Sequence, residues 1–154
     1  MTRTALDEAQ RELLQGTRRA VLATIAPDGR PRLVPMTFAI ADTSDSAPVI
    51  YSALDEKPKS VVDPRALARV RDVVSRPRVS VLADRWDEDW SCLAWLRLEG
   101  LATLLEPDGD DAAEHASAVS LLRARYAQYA THSLEQRPVL RIQVDRVVSW
   151  GLEQ

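Results

Sequence analysis

Residues Ala20 to Ile40 read AVLATIAPDGRPRLVPMTFAI, and this stretch decides the fold. Val21, Leu22, Ala23, Thr24 and Ile25 favour a strand through β-branching and apolar content. Pro27-Asp28-Gly29 then supplies a turn: proline fixes φ, aspartate caps locally and glycine accepts a positive φ. After the reversal, Pro31, Leu33, Pro35 and Thr37 alternate with Arg32, Val34, Met36 and Phe38, the period of a second strand. Pro35 has no N–H to give to a ladder, so it belongs at an edge, a bulge or a strand end. Backbone groups left free there are available to a flat polar ligand.

Working outward, Leu6–Leu14 reads as a short amphipathic helix, and Val49–Leu54 reads as a third strand after the polar loop Ala41–Pro48. Beyond Pro64, Leu67, Val70 and Val74 stand at helical spacing, which predicts a helix over Arg65–Ser75 with one buried stripe. Val79–Trp86 is strand-like, and Leu93–Leu105 is a long strand with an expected bend at Gly100. Asp110–His132 reads as one long helix, and Val139–Trp150 alternates as a half-exposed antiparallel strand does. Six strands, one crossing helix and one long helix predict a mainly β, α+β domain: a small antiparallel barrel with helices outside, since closure removes exposed edges.

A chain of 154 residues makes one domain, residues 1–154, with a core of ordinary size. Its net charge of -3 does not support nucleic-acid binding through an overall positive field. The absence of a run of about 18 apolar residues, with charges alternating at the N-terminus, predicts no membrane span, no secretory leader and a cytoplasmic location. Cys92 is the only cysteine, which excludes an internal disulfide, and beside Leu93 it reads as a small buried residue. His115 and His132 stand 17 residues apart, not a helical metal-ligand spacing, and are expected at the surface; no metal site is predicted. Phosphate loops, nucleophile elbows and HExxH motifs are all absent, so no catalytic side chain is assigned and any reactive group is imported.

The basic residues are more informative. The chain holds 18 arginines and two lysines, and both lysines, Lys57 and Lys59, follow the third strand. They mark either a phosphate-binding corner or a solvated face. On the next helix, Arg69 and Arg71 can reach over the barrel edge; each charge-assisted bond to a phosphate oxygen contributes about 1.5–3 kcal/mol. Trp86, Trp90 and Trp95 offer stacking surfaces for a planar ring, or core and interface packing.

The run Leu22-Ala23-Thr24-Ile25-Ala26-Pro27-Asp28-Gly29-Arg30-Pro31 with Pro35 and Phe38, followed by Arg69-Val70-Arg71-Asp72-Val73 and Arg76-Pro77-Arg78-Val79-Ser80-Val81, resembles the pyridoxamine 5'-phosphate oxidase-like split β-barrel proteins. Their order and spacing cover most of the chain. Within that group it is similar to the actinobacterial branch that binds the deazaflavin coenzyme F420 in place of FMN.

The resemblance implies a six-stranded, FMN-binding-protein-like split barrel and a homodimer with cofactor sites at the subunit interface. Pro35, Met36 and Thr37 would contact the ring and Ser52 would line the site. Arg69, where the family more often has lysine, and Arg71 would hold the phosphate or its acidic tail. Trp90 matches an aromatic often near the cofactor, and Lys57 and Lys59 lie in an insertion. Residues expected to hold the substrate phosphate of a true pyridoxamine phosphate oxidase are missing. The implied activity is F420-dependent hydride transfer to a small organic acceptor; the alternatives are an FMN-dependent oxidoreductase and a non-catalytic flavin-, deazaflavin- or haem-binding protein.

Overall fold

The computed structural model describes residues 5–43, 45–55 and 62–152. Asp7 starts helix α1 (Glu8–Gly16) with a reciprocal cap: its carboxylate accepts from the Gln10 N–H at 2.9 Å, and the Gln10 side-chain oxygen accepts from the Asp7 N–H at 3.0 Å. Leu13 and Leu14 on this helix enter the core beside Leu6. Seven strands follow: β1 (Ala20–Ile25), β2 (Pro31–Met36), β3 (Ala39–Ala41), β4 (Val49–Ala53), β5 (Arg78–Arg85), β6 (Ala94–Leu105) and β7 (Val139–Trp150). They form one antiparallel sheet in the order β2-β1-β5-β6-β7-β4-β3.

The two edge strands of this sheet, β2 and β3, are consecutive in the chain and joined by Thr37-Phe38. The sheet therefore curls until its edges meet at a two-residue seam, which is how the barrel closes. Here the count of six strands is corrected to seven, because the second strand divides at the seam. The Phe38 N–H donates to the Tyr126 hydroxyl at 3.0 Å, and the Thr37 carbonyl accepts from Ser52 Oγ at 2.8 Å. Side chains thus take backbone groups that a continuous ladder would have used.

The expected long helix also divides. Helix α3 (Ala112–Arg125) ends at Tyr126, whose backbone is extended, and a 3-10 helix (Ala127–Thr131) follows. This break turns Tyr126 and Tyr129 toward the seam, with their rings edge to face and centroids 5.6 Å apart. Two further expectations are corrected. His115 is 3 % exposed, held by a hydrogen bond between its Nε2 and the Arg137 carbonyl at 2.7 Å, and Cys92 is exposed in a 3-10 turn.

The β6–β7 pairing is irregular at Gly100, the position of the expected bend. The β6–β7 register shifts between Glu99 and Gly100, leaving Asp145 as the extra residue on β7.

Helix α2 (Ala68–Ser75) crosses behind the β1–β2 hairpin and is tied to it by a buried carboxylate. Asp72 accepts from Thr24 Oγ1 and from Arg32 Nε, each at 2.7 Å. Burial alone raises the pKa of this carboxyl, but the hydrogen bonds from Arg32 and Thr24 outweigh it and hold the value below its ordinary level. Such a group stabilises the fold at pH values above the ordinary carboxylate range, and the contribution disappears as pH falls through the lowered folded-state pKa. Asp72→Asn is therefore expected to cost about 2 kcal/mol near pH 7 by leaving Arg32 without its partner. Urea titrations should show the gap between variant and parent narrowing at acid pH.

Candidate functional site at the strand seam

A chain of polar side chains runs inward from the seam. Ser52 on β4 holds the Thr37 carbonyl, and the Thr37 hydroxyl lies 2.5 Å from the Tyr129 hydroxyl. Tyr129 donates to Asp55 Oδ2 at 2.5 Å, so the Thr37 hydroxyl serves as donor to the Tyr129 oxygen. Asp55 is 3 % exposed, and its backbone carbonyl, with that of Leu54, is clamped by the Arg137 guanidinium at 3.0 and 2.5 Å. Burial, reinforced by the Asp55 hydrogen bond, pushes the Tyr129 pKa up, which keeps its proton in place across the neutral range.

Arg69 approaches this chain from α2. Its guanidinium is half-buried, makes no hydrogen bond to another described residue, and feels the Asp55 charge. Burial draws its pKa down and Asp55 partly restores it. A cation withdrawn from water without a full set of acceptors keeps N–H donors that an anion can take.

On the other side of the seam, Tyr126 accepts the Phe38 N–H. Its hydroxyl lies 3.0 Å from the Phe38 carbonyl and 2.9 Å from the Arg18 carbonyl, either of which can take its proton. The Arg125 guanidinium covers the Phe38 ring 4.8 Å from its centroid and binds the carbonyls of Leu14 and Thr17. The α3 end thus holds the seam from behind.

Of the residues expected at a site, the structure gathers Thr37 and Ser52 directly and links Arg69 to them through Asp55 and Tyr129. Pro35 and Met36 part company by strand alternation: Pro35 is exposed on the outer face opposite Val21, whereas Met36 is buried in the core opposite Ala20. Arg71 is exposed and acts on Asp72 rather than Asp55; two helical positions differ by about 200°. Trp90 is 71 % exposed in the 3-10 turn Trp90–Cys92 between β5 and β6. Lys57 and Lys59 lie outside the described residues. Asp55, Tyr126 and Tyr129 went unread in the sequence; the only signal was a pair of tyrosines three apart after an Ala- and Arg-rich helix.

An antiparallel sheet closed on itself at a short seam, with helices packed against it and a polar cluster behind the seam, defines a split β-barrel. The chain belongs to the pyridoxamine 5'-phosphate oxidase family, whose profile matches residues 6–151. Among solved structures it is similar to a conserved hypothetical protein of Mycobacterium tuberculosis (22 % identity, 99 % of this chain and 91 % of the other, TM-score 0.70). It is also similar to HutZ, the haem storage protein of Vibrio cholerae (15 % identity, 95 % and 94 %, TM-score 0.66). A third likeness is to a putative 5-nitroimidazole antibiotic resistance protein of Bacteroides thetaiotaomicron (12 % identity, 97 % and 86 %, TM-score 0.63). These likenesses establish the shared fold. No curated protein matches the chain. Among the described residues, no helix is long and apolar enough to cross a membrane.

Proposed function

We propose that the chain is an oxidoreductase of the split-barrel class that binds F420 with its ring at the seam and its phosphate at Arg69. The half-buried Arg69 guanidinium, lacking a hydrogen-bonded partner among the described residues, carries this reading. The residues present suit a phosphate-bearing planar group: Arg69 for the anion, Thr37 for a polar ring edge with Ser52 lining the site behind it, and the Pro35 backbone, which has no N–H to place in a ladder. Bound there, the deazaflavin would supply hydride transfer to a small organic acceptor. The protein contributes orientation and exclusion of water, and Tyr129 holds its proton on Asp55.

The same geometry serves FMN, and the family assignment favours that cofactor as the second reading. A homodimer belongs to either reading. The outer sheet face presents Leu33 at 66 % and Trp150 at 54 % exposure, with Pro35, Leu82 and Trp95 on the same side. A second copy would cover that face. Arg71, Lys57, Lys59 and Trp90 remain candidate contacts for the phosphate, its tail or the ring within that assembly. A haem-binding protein is the third reading, prompted by the haem storage protein that shares the fold. His115 does not serve it, being buried and bonded to the Arg137 carbonyl.

Calorimetric titration of the purified chain with F420, FMN and haemin at modest salt separates the readings. Micromolar binding of F420 alone supports the first. Preference for FMN or haemin overturns it in favour of the second or third.

A further inference from the structure

Separate from the seam's polar chain, a cleft of about 720 Å³ opens between the C-terminal end of α1 and the ends of β5 and β7. That volume falls within the range of small-molecule sites, about 300–1,000 Å³. Leu13 and Leu152 line it with apolar surface, and Trp86 stands at its side with its indole 67 % exposed.

One of its three arginines is held in place at the cleft: Arg85 Nε donates to the Cys92 carbonyl at 2.7 Å. The Arg18 guanidinium is instead engaged on the seam side, donating to the Arg125 carbonyl at 2.7 Å and stacking on Tyr126, 4.7 Å from the ring centroid. Arg85 keeps further N–H groups for a ligand, and Arg19 adds a second guanidinium. Glu12 and Asp84 also line the cleft.

Gly16 borders the open space of the cleft. It closes α1, its φ lies outside the left-handed region, and a Cβ built on it meets no atom within 4 Å. The backbone conformation therefore does not require glycine here, and in a helix interior glycine costs roughly 0.5–1 kcal/mol relative to alanine. What the missing side chain leaves is space in the cleft wall.

We propose that this cleft binds a planar aromatic molecule carrying one anionic group, the ring against Trp86 and the anion on the guanidiniums of Arg19 and Arg85. The inference does not depend on which coenzyme occupies the seam. The test is calorimetry on the full chain with 2-naphthoate as probe and 2-naphthol as its uncharged counterpart. Submillimolar binding of naphthoate is expected, with naphthol at least tenfold weaker. Gly16→Leu, which fills the cleft, and Arg19→Ala, which removes a cation, should each weaken naphthoate binding tenfold or more. The Tm of Gly16→Leu should equal or exceed that of the parent, separating blockage from misfolding. Equal binding of naphthol, undiminished binding by a folded Gly16→Leu variant, or no naphthoate binding up to millimolar concentration overturns the proposal.

Discussion

Gly100→Ala is expected to destabilise the protein by about 3 kcal/mol or more, because the atoms in the way are backbone and cannot rotate aside. A Cβ at this position would lie 2.0 Å from the Gln143 carbonyl oxygen and 2.9 Å from the Val144 Cα. Gly100 sits at the β6–β7 bulge, at the middle of the longest strand pair in the sheet. Relief of the clash requires β6 and β7 to separate, which breaks ladder hydrogen bonds on both sides of the bulge. For a chain of this length, about 3 kcal/mol corresponds to a fall in Tm of roughly 10 °C. Thermal unfolding followed by circular dichroism checks this, with Gly16→Ala as the internal control. That substitution meets open space and should leave Tm unchanged or slightly raised. A Gly100→Ala variant as stable as the parent would show that the bulge can be redrawn without loss.

The second large effect concerns binding. Arg69→Ala is expected to weaken coenzyme affinity about 10- to 100-fold, the equivalent of one charge-assisted hydrogen-bonding group at about 1.5–3 kcal/mol. Arg69→Lys keeps the charge but loses the planar fork and should fall between the two. Arg71→Ala in the isolated protomer should have a smaller effect, because Arg71 is exposed and its charge is felt by Asp72, whereas the half-buried Arg69 lies in the field of Asp55. Titration of the three variants with F420 and FMN measures these differences directly. The salt dependence of affinity should flatten in Arg69→Ala, since exposed ionic contacts are screened and a lost one leaves less to screen. Unchanged affinity in Arg69→Ala, with the parent still binding, would move the phosphate site elsewhere on the barrel.

The hairpin, the irregularity at Gly100 and β7 were readable because their causes are local. Pro27-Asp28-Gly29 can do little but turn, and the residue alternation in Val139–Trp150 has the strand period throughout. Their register places Val21, Pro35, Leu82 and Trp95 on one face and Leu22, Val81 and Leu96 in the core. The division of the second strand was not local. Nothing between Pro35 and Ile40 announces that Phe38 will bond to a tyrosine 88 residues away. The long helix failed for the same reason: Ala127–Thr131 has helical composition, and the contacts of Tyr126 and Tyr129 with the seam override it.

By itself, then, the sequence determined a mainly β domain, the pairing of its hairpin, the position of its bulge and its membership of a split-barrel family. Each follows from neighbouring residues or from spacings along the chain. Tertiary structure alone decided which of the many arginines stands partly buried in the field of Asp55, and that Met36 and Pro35 face opposite ways from the same strand. It also decided that Asp55 and Tyr129 join Thr37 in one hydrogen-bonded chain. A side chain's usefulness to a ligand depends on burial and on which partners are already engaged, and both are properties of chain segments brought together from far apart in the sequence.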